Sequence, residues 1–313
     1  MKLTIGTRGS ALALWQARFV AEAIRTTHPA AEVELMTIRT SGDKILDVPL
    51  SRIGSKGLFT KEIEEALLAG SIDLAVHSMK DLPTDLPEGL HVAVTMERED
   101  PRDVFVSGDG RLLEDLEPGD RIGTSSLRRR AFLLHRFPSL EVVSIRGNVD
   151  TRIRKIETEG LAGVILAAAG IIRMGFGERI TRYLETDSMI PAVGQGVLAI
   201  ETRQDDRDTN ELLAPLNHPG TAWCVAVERS FLKRMGGGCQ VPMAAHCTME
   251  GGSSNVVAAV VHPDGAPLMR ESWRGRAEDS SVGQLLADRL IEQGAESILK
   301  AVLGKDWVPG TCD

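Results

Sequence analysis

The stretch Ile72-Asp73-Leu74-Ala75-Val76 restricts the fold more than any other. It is short, and from Leu74 it is apolar on both alternating faces. Such a strand belongs in a sheet covered on both sides, and a parallel sheet of that kind needs helices between its strands. The chain supplies them. Residues 3–7, 32–38 and 91–95 read as further strands. Residues 11–27 and 58–69 read as helices, with Leu14, Ala17, Phe19 and Ile24, then Phe59, Ile63, Ala66 and Leu67, on their apolar sides. Ser10 is a candidate N-cap and Pro29 stops the first helix.

A second set repeats the pattern. Residues 104–107, 121–124, 141–145 and 163–167 read as strands, helices open after Ser126 and Asn148, and Ala168-Ala169-Gly170 turns into a short helix holding Arg173. Residues 99–103 and 190–196 read as two crossovers, after which residues 197–201 return to the first half. At 313 residues the chain is too long for one ordinary core. Past the linker Asn217-His218-Pro219-Gly220, a helix runs to Met235. Strands at 241–248, 255–262 and 268–274, separated by Gly-rich or Pro-Asp-Gly turns, suit an antiparallel meander. One amphipathic helix, 281–303, is expected to cover it. The domain boundaries expected are 1–98 with 196–217, then 102–191, then 220–313.

Arginines gather where strands end. Arg8, Arg128, Arg129, Arg146, Arg152 and Arg173 all lie just past a strand or in the first turns that follow. Parallel strands would bring these points to one edge, the edge where α/β sheets bind ligands. The chain carries a net charge of −8, so a basic cleft is a local construction. Arginine grips carboxylate or phosphate in a bidentate fashion, and a polyanionic ligand is expected. No GxxxxGK[ST] or GxGxxG follows a strand, which argues against a nucleotide. The acidic balance and the lone tyrosine argue against nucleic acid and an anionic membrane surface. No apolar run is long enough to span a bilayer, and no signal peptide precedes the first strand.

Two further features carry chemistry. His77-Ser78-Met79-Lys80-Asp81-Leu82-Pro83 places an ammonium and a carboxylate side by side at a strand mouth. As a mere surface ion pair it would contribute at most ~1 kcal/mol. Gly236-Gly237-Gly238-Cys239 presents a thiol on a loop cleared of bulky neighbours, where a large group can approach the sulfur. The four cysteines are irregularly spaced with no CxxC pair, so free thiols in a reducing compartment fit better than disulfides or zinc.

In order, Thr7-Arg8-Gly9-Ser10, residues 54–59, residues 77–83, residues 97–103, residues 123–129, Arg146-Gly147-Asn148-Val149, residues 191–196 and Gly238-Cys239-Gln240-Val241-Pro242 resemble the porphobilinogen deaminase (hydroxymethylbilane synthase) family, essentially end to end. The resemblance implies two similar doubly wound α/β domains, type II periplasmic-binding-protein-like, plus a third α+β domain with a three-stranded antiparallel sheet. It implies a dipyrromethane cofactor joined by a thioether to Cys239. Four porphobilinogens are then condensed head to tail with loss of ammonia, and water releases hydroxymethylbilane, a step of haem and related tetrapyrrole synthesis. The expected protein is a cytoplasmic monomer with no metal.

By family position, Asp81 and Lys80 are the expected catalytic pair. Asp81 would accept pyrrole N–H bonds and help move protons. Ser10, Thr124, Ser126, Arg128, Arg129, Arg146 and Gly147, with Lys80, Asp81 and Cys239, are expected at the cofactor. Arg8, Gln16, Arg52, Lys56, Phe59, Arg146, Arg152, Arg173 and Gln195 are expected at the substrate. Arg52 stands where the family often has lysine, which keeps the charge. Each hydrogen bond to a ligand carboxylate would contribute ~1.5–3 kcal/mol. Residues 39–57 match the family's flap. A solute-binding protein or the sensing part of a transcription regulator could share the two α/β halves. Neither has a use for Cys239, and no helix-turn-helix precedes the first strand.

Overall fold

The structure, a computed structural model, describes residues 1–44, 59–236, 241–276, 280–304 and 307–310. The chain forms β1 (Lys2–Thr7), α1 (Ala11–Thr27), β2 (Glu32–Thr37), α2 (Ser41–Lys44), α3 (Lys61–Leu68), β3 (Leu74–Ser78) and β4 (Leu90–Thr95). It continues with β5 (Asp103–Ser107), β6 (Arg121–Gly123), α4 (Leu127–Arg136), β7 (Glu141–Val143), α5 (Val149–Thr158), β8 (Gly163–Ala167), α6 (Ala168–Arg173) and β9 (Arg182–Leu184). Then come β10 (Leu198–Arg203), α7 (Arg207–Leu213), α8 (Pro219–Arg234), β11 (Met243–Glu250), β12 (Ser253–Val261), β13 (Leu268–Arg276), α9 (Val282–Glu292) and α10 (Ala295–Leu303). Two compact units divide it: Met1–Glu99 with Val197–Ala222, and Asp100–Gly196 with Trp223–Asp313.

The first unit holds one sheet in the order β2-β1-β3-β10-β4. β1 runs parallel to β2 and β3, while β10 is antiparallel to β3 and β4. β3 is buried on both faces, as its sequence requires. Leu74 and Val76 join Leu3, Ile5, Ala17, Val20 and Ile24 on the α1 side. Ala75 joins Ile63, Leu67 and Leu90 on the α3 side. Each buried aliphatic side chain contributes about 1.5–3 kcal/mol.

The second unit contains a sheet of the same plan, β7-β6-β8-β5-β9, with β6 parallel to β7 and β8, and β5 antiparallel to β8 and β9. The sheets are therefore mixed, and strand-mouth convergence applies only to their parallel members. The physical reason is connectivity. In each sheet the reversed central strand is the first one made after the chain crosses over. The third sheet, β11-β12-β13, is an antiparallel meander. Its β12 is also buried on both faces. Ala259 and Val261 pack with Phe105, Phe132 and Ile165 of the second sheet's core, whereas Ala258 and Val260 pack with Phe231, Leu286 and Leu299 from α8, α9 and α10.

One local expectation is corrected. The expected helix over 281–303 is two helices, broken at Gln293-Gly294, where Gly294 has φ 100° and no side chain to oppose it. β9 has three residues, too short to show a period, and is defined by its pairing with β5.

Gly163 shows how tightly β8 meets β5. A Cβ there would lie 2.3 Å from Phe105 Cε2 and 2.5 Å from the Val106 carbonyl oxygen. Gly163→Ala is therefore expected to destabilise the protein by about 3 kcal/mol, read as a lower calorimetric midpoint. An unchanged midpoint would mean that the strands separate without loss.

Candidate functional site

In the first unit the site residues are placed by three hydrogen bonds, two local and one between distant segments. Thr7, fully buried at the end of β1, donates Oγ1 to the Ala13 carbonyl at 3.1 Å and ties the strand to α1. Ser10 caps α1, its Oγ accepting from the Ala13 N–H at 3.3 Å. Gln16, buried one turn on, donates Nε2 to Ser78 Oγ at 3.0 Å and so fixes α1 to the end of β3. The Arg8 guanidinium lies 4.1 Å from the centroid of the Phe59 ring, a cation–π contact.

Beyond Ser78 the chain makes one 3-10 turn, Met79–Asp81. Met79 and Leu82 are buried, and the Met79 N–H donates to the Val197 carbonyl at 2.9 Å. Those anchors leave Lys80 half-buried and Asp81 exposed at the end of a rigid strand. Behind them, His77 Nε2 lies 3.0 Å from Glu201 Oε2, both groups buried. Glu64 is buried near this pair. Burial, with the charge of Glu201, raises its carboxyl above the usual range against an opposing bond from Thr60 and the charge of His77.

In the second unit the arginines follow β6, β7 and β8, three parallel strands whose ends share one edge. Thr124 is buried past β6, and its Oγ1 accepts from the Ser126 N–H at 3.3 Å. Ser126 caps α4, accepting from the Arg129 N–H at 3.4 Å. Arg128 and Arg129 are only 4% and 6% exposed and turn inward to one carboxylate, Asp103. Arg129 Nη2 lies 2.8 Å from Asp103 Oδ1, and Arg128 Nη2 lies 2.8 Å from Asp103 Oδ2. Gln195 Nε2 donates to Asp103 Oδ1 at 3.0 Å and to the Pro101 carbonyl at 2.7 Å. Burial pushes the Asp103 carboxyl up. The charges of Arg128 and Arg129, with the bond from Gln195, outweigh it, and the group is lowered to about 2. Arg128 is lowered by burial despite Asp103.

Past β7, Gly147 has φ 114°, and a Cβ there would meet Thr151 Cγ2 at 2.6 Å. Its carbonyl accepts from Arg152 Nε at 2.7 Å. Arg146 is half-buried beside it. After β8, Arg173 Nη2 donates to the Gly196 carbonyl at 2.7 Å. Glu228, fully buried on α8, accepts from the Gly194 N–H at 2.7 Å and the Cys247 N–H at 2.9 Å. Cys239, Arg52, Lys56 and most of the 39–57 segment lie outside the described residues.

The structure thus brings Arg8, Ser10, Gln16, Phe59, Lys80 and Asp81 to the first unit, and Thr124, Ser126, Arg128, Arg129, Arg146, Gly147, Arg152, Arg173 and Gln195 to the second. Sequence reasoning missed Asp103, Glu201, Glu64 and Glu228. A carboxylate opening an apolar strand at Asp103-Val104-Phe105-Val106 was the available signal. Arg128 and Arg129 share the carboxylate of Asp103, so that buried group carries one more cation than anion. A donor set of that kind suits a ligand rich in carboxylates, such as an acidic dipyrrole.

Residues 3–211 match the family described as "Porphobilinogen deaminase, dipyromethane cofactor binding domain", and residues 222–292 match "Porphobilinogen deaminase, C-terminal domain". The chain is 53% identical over 301 residues to the porphobilinogen deaminase of Syntrophotalea carbinolica, covering 96% of each. It is 53% identical over 306 residues to that of Trichlorobacter lovleyi, covering 97% of this chain and 98% of the relative. Among solved structures, the methionine binding protein MetQ aligns with a TM-score of 0.45 at 12% identity, over 73% of this chain and 94% of that one. The chain belongs to the porphobilinogen deaminase family.

Proposed function

We propose that this protein is the transferase that condenses four porphobilinogen molecules head to tail, with loss of ammonia, and releases hydroxymethylbilane. The observation that carries this reading is the family match across both parts of the chain, joined to an arginine-rich strand edge in an acidic protein. Each porphobilinogen ring brings two carboxylates and a pyrrole N–H. Arg8, Arg52, Lys56, Arg146, Arg152 and Arg173 hold the carboxylates of incoming substrate, with Gln16, Phe59 and Gln195 shaping the fit. Arg128, Arg129, Arg146 and Gly147, with Ser10, Thr124 and Ser126, hold those of the cofactor. Dipyrromethane, held by a thioether from Cys239, supplies a permanent pyrrole terminus for chain growth.

Asp81 accepts the pyrrole N–H groups and holds the proton that ring substitution releases. Its anionic charge favours the cation left when ammonia departs, by about 4 kcal/mol for charges 4 Å apart at an effective dielectric of 20. The working division of the chain is taken as 1–98 with 196–217, 102–191 and 220–313. No helix among the described residues is long and apolar enough to cross a membrane. A cytoplasmic monomer acting on a free small molecule, without nucleic acid, completes the reading.

The direct test is ammonia release together with intact mass before and after porphobilinogen is added. Stepwise gains of one ring each are expected, and a constant mass with no ammonia would remove the reading. Asp81→Asn is expected to keep the covalently loaded mass while product formation falls by about 100-fold or more. Near-normal turnover would take the proton-holding role from Asp81. Arg146→Leu and Arg173→Leu are each expected to raise KM for porphobilinogen by about 10- to 100-fold, the equivalent of one lost charged hydrogen bond. Unchanged KM in both would show that the carboxylates bind elsewhere.

A further inference from the structure

Asp103 opens β5 and is fully buried, and the reading above gives it no part. Its oxygens take three hydrogen bonds and one further ion-pair contact. Oδ1 accepts from Arg129 Nε at 3.0 Å, Arg129 Nη2 at 2.8 Å and Gln195 Nε2 at 3.0 Å, while Oδ2 lies 2.8 Å from Arg128 Nη2. Oδ1 is thus crowded by three hydrogen bonds, while Oδ2 is held by the charge contact from Arg128 alone and makes no hydrogen bond. The guanidiniums are engaged on their far sides too. Arg129 Nη1 donates to the Ile165 carbonyl at 3.2 Å, and Arg128 Nη1 to the Ile190 carbonyl at 2.7 Å. All three nitrogens of Arg129 therefore meet protein oxygens.

The charge balance is unusual. Two buried guanidiniums share one carboxylate, so the triad keeps one net positive charge. Stability alone does not favour that arrangement, because an excess buried cation loses its hydration without a full partner. The arginines also occupy the first turn of α4, where the helix dipole repels cations. Something other than folding has to explain the second arginine, and an anionic ligand does so.

We propose that Asp103 is the positioning residue of this arginine pair. It is an internal carboxylate that fills the face shared by Arg128 and Arg129, fixes the direction of both forks and lowers the charge offered to a ligand from two to one. The proposal rests on the reading that this edge serves substrate and cofactor carboxylates. A reduced charge has a use there, since the acidic chain has to be held during growth and then released. Gln195 joins the set from the other segment linking the two units, because one amide bonds both Asp103 and the Pro101 carbonyl.

The test is Asp103→Ala, assayed with formate and with its uncharged analogue formamide. The truncation leaves a carboxylate-sized space beside two guanidiniums. We expect kcat to fall by about 100-fold through misplaced forks. We expect the melting temperature of the protein without cofactor to fall by about 5–15 °C. Formate should recover both several-fold, and formamide neither. Equal recovery by both would mean that Asp103 only fills space, and recovery by neither, or a wild-type kcat without additive, would equally overturn the proposal. Should Asp103→Ala not fold, Asp103→Asn is compared with Asp103→Asn/Arg129→Gln. The double variant restores the charge balance and should melt higher than the single one; an equal or lower midpoint overturns the proposal. The two readings fail separately. Formate rescue of the melting temperature with unchanged KM in Arg146→Leu and Arg173→Leu would keep the positioning role and remove the carboxylate-binding one. Raised KM without rescue would do the reverse.

Discussion

A carboxylate taken out of water has to find donors where it lies, and that constraint organises these strand edges. Asp103 and Glu201 are fully buried, and each is met by cationic or imidazole partners from a different stretch of chain. An unpaired ion at either place would cost several kcal/mol. The segments that carry these partners are therefore fixed relative to one another within each unit. Glu228 applies the same rule with backbone donors. It binds the Gly194 and Cys247 amides, tying α8, the segment before β10 and the third sheet together just upstream of the cysteine loop.

Much of this was legible in the chain. Period and burial pattern identify β3 and its covering helices, because alternation is a local property. The arginines past β6, β7 and β8, and the Lys80-Asp81 turn past β3, were legible for the same reason: a strand end and the side chains that follow it are contiguous. What was not legible is the set of partners. Asp103 and Gln195 are 92 residues apart, and His77 and Glu201 are 124 apart. Nothing in the local pattern around Arg128 says that its guanidinium meets the carboxylate of Asp103. The break at Gly294 is a further case, since one glycine in an amphipathic run is compatible with a continuous helix until packing decides otherwise.

The reversed strands explain why the hidden partners fall at the site. Because β5 runs antiparallel to β8, its first residue, Asp103, pairs with Ala167, the last residue of β8. Its start therefore lies at the edge where the parallel strands end and the arginines follow. A fully parallel sheet would have put that carboxylate at the opposite edge, a strand length away. The first unit repeats the arrangement: β10 begins with Leu198 paired to Ser78, and Val197 receives the amide of Met79 at the base of the Asp81 turn. In both units the incoming crossover is delivered to the strand mouths by the antiparallel pairing alone. The same topological choice supplies a counter-ion to the arginines in one unit and a backbone anchor to the acidic turn in the other. Mixed pairing thus brings these residues to the strand mouths, and β5 and β10 share the reversed direction because each is the first strand made after a crossover.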